Sequence, residues 1–170
     1  MDEIANLLEP HIPALRRYAW ALLRDHEGAD DLVQDCLERA IARWQLRRRD
    51  GNLRAWLFSI EHNLFVDRIR RSRREGIRAD LEAAAELSTG NDEQESRMAV
   101  RDILACLDRL PQEQRSVILL VAVEDLTYDE AARVLGVPIG TVMSRLSRGR
   151  ERLRRTLDAP STVPTLRRVK

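Results

Sequence analysis

An all-α fold of two small helical domains joined by a flexible linker is what three features of the sequence predict. Apolar residues return every three or four positions over residues 4–75 and again over residues 97–157. Between them, "GIRADLEAAAELSTGNDEQES" (residues 76–96) is acidic and rich in small residues, with "STGND" as a turn signal. No period-two strand pattern survives anywhere. The run "VILLVAV" (residues 117–123) could be a buried strand by periodicity alone, but Pro111 suits a first helical turn and helical signals flank it on both sides.

The first domain spans residues 1–75. Ile4, Leu7, Leu8, Ile12, Leu15, Ala19, Leu22 and Leu23 trace one helical face, and Pro10 and Pro13 break or restart that helix early. After "RDHEG" turns the chain, Ala29, Leu32, Val33, Cys36, Leu37, Ala40, Ile41 and Trp44 form the cleanest amphipathic stripe in the chain. The opposite face of that helix carries Asp31, Gln34, Asp35 and Glu38. A basic loop, "QLRRRDGN", leads to a third helix over residues 53–74 that buries Trp56, Leu57, Ile60 and Leu64. It ends in "DRIRRSRR". Asn63 interrupts an apolar face there, which a specific polar task or a structural hydrogen bond explains equally well.

The second domain spans residues 97–157, and a tail without periodicity, "DAPSTVPTLRRVK", covers residues 158–170. Thr127 with Glu130 forms a capping-box signature at a helix start. Gly136 supplies the left-handed residue that ends the helix, and Pro138 opens the next. Two short helices about a glycine-containing turn predict a helix-turn-helix. At about 100° per residue, Val142, Leu146, Gly149 and Leu153 share one stripe of the second helix. Thr141, Arg145, Arg148 and Arg152 share an adjacent one, with Ser144 at its edge. A major groove admits such a helix, and arginine reads guanine O6 and N7 as a pair of acceptors. Solvated surface arginines are the plain alternative, and the capped motif beneath them favours DNA.

The net charge of +1 conceals the distribution. The first domain carries 14 basic and 13 acidic groups, the linker 1 and 6, the second domain 11 and 8, and the tail 3 and 1. Every basic residue except Lys170 is arginine, a side chain whose planar fork grips phosphate. The two cysteines, Cys36 and Cys106, lie in apolar helical patterns and read as buried reduced thiols. His11, His26 and His62 are scattered, so neither a metal site nor a cofactor is expected. An acidic N-terminus and the lack of a long apolar run predict a cytoplasmic location without membrane insertion.

Three stretches resemble one family in their order along the chain. "ADDLVQDCLERAIARW", "LRAWLFSIEHNLFVDRIRR" and "LDRLPQEQRSVILLVAVEDLTYDEAARVLGVPIGTVMSRLSRGRERLR" are similar to the extracytoplasmic-function (ECF) sigma factors of bacterial RNA polymerase. The third looks most like the alphaproteobacterial general-stress type. The resemblance covers residues 5–155 and implies sigma domain two, then domain four. It implies a non-enzymatic specificity subunit, docked on the clamp helices of the polymerase largest subunit through Asp31, Gln34, Asp35 and Glu38. It further implies minus-ten promoter DNA held by Asn63, the "QLRRRDGN" loop and Arg68, Arg70, Arg71, Arg73 and Arg74. The minus-35 element would be read by Thr141, Ser144, Arg145, Arg148 and Arg152. An anti-sigma factor is the further partner implied. The residues alone leave two rivals open: a stand-alone helix-turn-helix regulator and a helical adaptor with only protein partners.

Overall fold

The computed structural model describes residues 2–48, 51–76 and 94–158, and every regular element among them is helical. Most of the linker, the "LEAAAEL" piece within it and the tail lie outside the described residues.

In the first half, α1 (Asp2–Leu8) and α2 (Ile12–Leu23) are separated by a 3₁₀ turn over Glu9–His11. Pro10 sits in that turn and Pro13 in the first turn of α2, where a missing N–H leaves no bond unmade. Arg24 closes α2 in the left-handed conformation, at φ 54°. Asp25 then caps α3 (His26–Ala42) by accepting the Gly28 N–H at 2.9 Å. A second 3₁₀ turn holds Trp44. Asn52 caps α4 (Leu53–Arg74), whose last turn carries Arg71, Arg73 and Arg74 beside the negative end of the helix dipole.

The second half begins with α5 (Gln94–Asp108) and α6 (Gln112–Ile118). The "LLVAV" segment is helical, as its flanks predict, but it widens into a π-helical turn. The Glu124 N–H bonds Leu119 O at 2.9 Å, five residues back. This widening turns Glu124 into the interior. The expected helix-turn-helix follows as α7 (Tyr128–Leu135) and α8 (Ile139–Asp158). Thr127 and Glu130 make the reciprocal capping box, and Gly136 is left-handed at φ 65°.

The two halves are not held apart. Tyr18, Leu57 and Phe58 of the first belong to the same buried cluster as Val117, Leu120, Val134 and Val142 of the second. Helix α4 lies against α7, and α2 meets the end of α6.

Candidate DNA and polymerase interfaces

Helix α8 has the two faces its sequence predicts. Val142, Leu146 and Gly149 are buried and Leu153 is half-buried. Ser144, Arg148 and Arg152 are exposed on the neighbouring face, and Thr141 is half-buried at its start. Among the described residues, no ion pair engages Arg148 or Arg152. Arg145 differs. Its side chain is 24% exposed, and its Nη2 lies 3.7 Å from a Glu113 carboxylate oxygen. Arg154 and Arg155 pair with Glu151 on a third face.

The polar face of α3 is open. Asp31, Gln34, Asp35 and Glu38 are all exposed, while Ala29, Leu32, Val33, Cys36 and Ala40 point into the core. Gln34 donates to Glu38 at 3.0 Å. The structure ties Asp35 to Arg68, two residues the sequence places in different interfaces. The Arg68 guanidinium donates to the Asp35 carboxylate at 2.7 Å and to Gly28 O at 3.1 Å. Arg68 thus joins α4 to the start of α3. Arg70, Arg71, Arg73 and Arg74 are exposed beyond it.

A cleft of about 680 Å³ opens beside the basic loop. Arg47, Arg48, Asn52, Trp56, Ser59 and, from α7, Arg133 line it. Trp56 meets Trp44 edge-on at 6.2 Å between ring centroids, and the Arg47 guanidinium lies over the Trp44 ring at 4.8 Å. Flat aromatic surface among guanidinium groups can hold an unstacked base while the cations hold its backbone. Half-buried Trp56 is therefore not simply a core residue. Asn63 is exposed on α4, one turn beyond Ser59, so it does not interrupt the buried face as its position in the sequence indicates.

The most unusual chemistry lies where the halves meet, in residues not predicted as functional. Glu124 is 1% exposed and follows the π-helical turn Leu119–Val123, whose Leu120 is likewise buried. Its carboxylate accepts Arg17 Nε at 2.7 Å and Arg17 Nη2 at 2.8 Å, and Arg54 Nη2 at 2.9 Å. Arg54 also donates to the Glu124 backbone oxygen at 2.9 Å. Nearby, Glu61 is fully buried in the stripe Leu57–Glu61–Phe65, and among the described residues neither carboxylate oxygen has a hydrogen-bond partner. Burial, reinforced by the charge of Glu124, pushes its pKa well above the ordinary carboxyl range and so favours the protonated form. His62 is buried beside it, with Nδ1 3.0 Å from the Tyr18 hydroxyl. Burial and then the charge of Arg145 lower its pKa to about 4, leaving it neutral at physiological pH. The detectable sequence signal was a carboxylate at a core position of an apolar stripe, at Glu61.

Cys36 and Cys106 are buried free thiols, as expected, and burial raises the Cys36 thiol. Among the described residues, no cluster of histidine, cysteine and carboxylate groups could hold a metal ion, and no helix is long and apolar enough to cross a membrane.

Comparison with known proteins places both halves. Residues 8–62 match the family "Sigma2 domain of PhyR", and residues 101–153 match "Sigma-70, region 4". The chain is 38% identical over 152 residues to the ECF RNA polymerase sigma factor EcfG of Rhodopseudomonas palustris, covering 89% of this chain and 83% of that protein. The chain belongs to the ECF sigma factors. Another ECF relative, SigM of Mycobacterium tuberculosis, is 35% identical across 96% of this chain and 81% of its own length. Among solved structures, the sigma factor RpoE of Bartonella quintana, crystallised with the anti-sigma factor NepR, is 32% identical with a TM-score of 0.76. That match covers 94% of this sigma factor and 99% of RpoE. The likeness to EcfG and to the PhyR domain fits a stress-response type of sigma factor.

Proposed function

We propose that this ECF sigma factor docks on the clamp helices of the core polymerase largest subunit through Asp31, Gln34, Asp35 and Glu38 of α3. It then opens the minus-ten element with residues 1–75 and reads the minus-35 element with residues 97–157. The observation that carries this reading is the combination of an open acidic face on α3 with an exposed Arg148–Arg152 face on a capped helix-turn-helix. Mounting two weak DNA readers on one polymerase raises the effective concentration of each for the other's element. The cleft between Trp56 and the basic loop suits capture of a flipped base, with Arg70, Arg71, Arg73 and Arg74 along the backbone. Asn63, exposed one turn away, extends that surface. Arg68 and Arg145 contribute by first exchanging Asp35 and Glu113 for phosphate. The chain acts without catalytic groups of its own, in the cytoplasm, and an anti-sigma factor is its regulator, by likeness to the RpoE–NepR pair.

Binding to core RNA polymerase, followed by fluorescence anisotropy without DNA, tests the docking face. Asp35→Arg is expected to weaken binding at least about tenfold, because like charges juxtaposed at an interface cost several kcal/mol. Arg68 would also face the new charge, so Glu38→Arg serves as a second variant away from that pair. Undiminished binding by both variants, with intact helical circular dichroism, removes α3 as the docking helix. On the DNA side, Arg148→Ala is expected to cost about 1–3 kcal/mol of minus-35 affinity, concentrated at one base pair. A loss spread evenly over a panel of promoter mutants reassigns Arg148 to the phosphates.

A further inference from the structure

We propose that a crevice beside α4 binds a small phosphate monoester with a flat apolar body, the chemistry of a nucleoside monophosphate. The site stands apart from the sigma-factor reading, which claims some of the same arginines for DNA phosphates.

The crevice has a volume of about 340 Å³, at the lower end of the range for small-molecule sites. One face of α4 forms one wall: His62, Val66, Ile69, Arg70 and Arg73 follow each other along it at helical spacing. Opposite stand Ser116 of α6, Leu135 and Val137 around the turn of the helix-turn-helix, and Arg145 of α8. Polarity changes with depth. Arg70 and Arg73 are exposed, whereas His62 and Ser116 are 7% and 1% exposed. Val66 and Ile69, between them on α4, and Leu135 and Val137 across the crevice are only half-buried. Apolar surface is therefore left in water, where a ring system would cover it.

Two observations define the ligand. The first is Ser116, whose Oγ is buried and has no hydrogen-bond partner among the described residues. The Tyr18 hydroxyl lies close enough to feel it, but is engaged with His62 Nδ1 at 3.0 Å and makes no well-formed bond to Ser116. A buried hydroxyl without a partner is costly, and a polar group on a ligand reaching the crevice floor would satisfy it. The second observation is charge. Arg70, Arg73 and Arg145 face one carboxylate, Glu113, so two positive charges are uncompensated. Among the described residues no ion pair engages Arg70 or Arg73, and Arg145 meets Glu113 only at 3.7 Å, too long for a hydrogen bond. His62 adds no charge, since burial and then the charge of Arg145 hold it neutral. A phosphate monoester carries about −1.5 to −2 at neutral pH and offers three acceptor oxygens, which suits two excess charges on three guanidinium groups. A DNA backbone carries one charge per phosphate and continues on both sides of it, so it suits the open arginine rim but not the enclosed floor.

Isothermal titration calorimetry of the full chain with adenosine monophosphate, inorganic phosphate and adenosine tests the site. Adenosine monophosphate is expected to bind one-to-one with a Kd below about 1 mM. Inorganic phosphate and adenosine should each bind at least about tenfold more weakly, because each fills only part of the crevice. Arg73→Ala should weaken adenosine monophosphate about tenfold, and Ser116→Ala about threefold. The Ser116 hydroxyl makes no bond within the chain, so its removal leaves the fold intact. Arg154→Ala, on a separate face where Arg154 pairs with Glu151, should bind like wild type. The absence of saturable binding overturns the site. Inorganic phosphate binding as tightly as adenosine monophosphate also overturns it, since the apolar walls would then contribute nothing. Equal losses for Arg154→Ala and Arg73→Ala overturn it in favour of a diffuse cationic surface. Promoter DNA, followed by anisotropy with RNA polymerase present, separates the two sources of phosphate: Ser116→Ala should bind it like wild type. A loss of DNA affinity matching the loss for adenosine monophosphate gives the crevice to nucleic acid and overturns the small-molecule site.

Discussion

Gly149→Leu is expected to destabilise the second domain by about 3 kcal/mol and to weaken minus-35 binding with it, whereas Gly149→Ala should be close to neutral. Gly149 is the buried position where α8 crosses α6. A Cβ built there would lie 2.6 Å from Ile118 Cδ1 and 3.4 Å from Gln114 Cβ. The first contact is with the end of a side chain, which a small rotation can relieve. For alanine, the strain is offset by the roughly 1 kcal/mol by which alanine exceeds glycine in helix propensity. Leucine has no such escape, because Ile118 is itself packed in the buried cluster with Val117 and Val142. Overfilling a packed core costs typically 1–3 kcal/mol.

Urea unfolding followed by circular dichroism reads the effect, and Ile118→Val tests its cause. Removing the Ile118 Cδ1 atom should recover part of the Gly149→Leu loss, giving a coupling energy beyond simple addition. Strictly additive losses would place the clash elsewhere. The functional consequence follows from position: Arg148 adjoins Gly149 and Arg152 lies one turn on, so a tilt of α8 moves both away from a groove-reading pose.

What the sequence made legible is what its local order encodes. The helix start at Thr127, the stop at Gly136 and the two faces of α8 all rest on residues within four positions of one another. The family motifs extended this to the order of the two domains. The local reading failed where partners come from far along the chain. Arg68 reads as a free phosphate ligand until folding brings Asp35 to it from 33 residues away. Glu124 reads as an ordinary acidic residue after an apolar run until a π-helical turn swings it inward toward Arg17, 107 residues distant. Asn63 shows the opposite error: a polar residue flanked by apolar ones looked like an intrusion on the core, yet the helix turns it outward. Glu61, two residues earlier, is the real intrusion, and its neighbours Leu57 and Phe65 at four-residue spacing were the available clue.

That intrusion has a measurable consequence in the pH dependence of stability. Glu61 has a folded pKa raised well above its ordinary value of 4.5. Its favourable contribution is fully present below pH 4.5 and is lost as pH rises toward the folded pKa, at about 1.4 kcal/mol per pH unit. His62 has the opposite sign. Its folded pKa of about 4 lies below its ordinary 6.5, so stability is lost as pH falls through that interval. Between pH 4.5 and 6.5 folding takes up protons at Glu61 and releases them at His62, so the two slopes oppose each other. Above pH 6.5 the His62 contribution is complete and only the Glu61 slope acts. Wild type should therefore gain less stability than Glu61→Gln as pH rises. Glu61→Gln should uncover a rise of about 3 kcal/mol between pH 4.5 and 6.5 from His62. Urea midpoints measured from pH 4.5 to 8.5 distinguish these shapes, and superimposable profiles would mean that Glu61 is ionised in the folded chain. Tyr18 and Cys36 beside Glu61 belong to the first half, but Glu124 comes from the second and raises the Glu61 pKa by its charge. Glu124→Gln removes that charge, so it should lower the folded pKa of Glu61 and end the alkaline decline at a lower pH than in wild type.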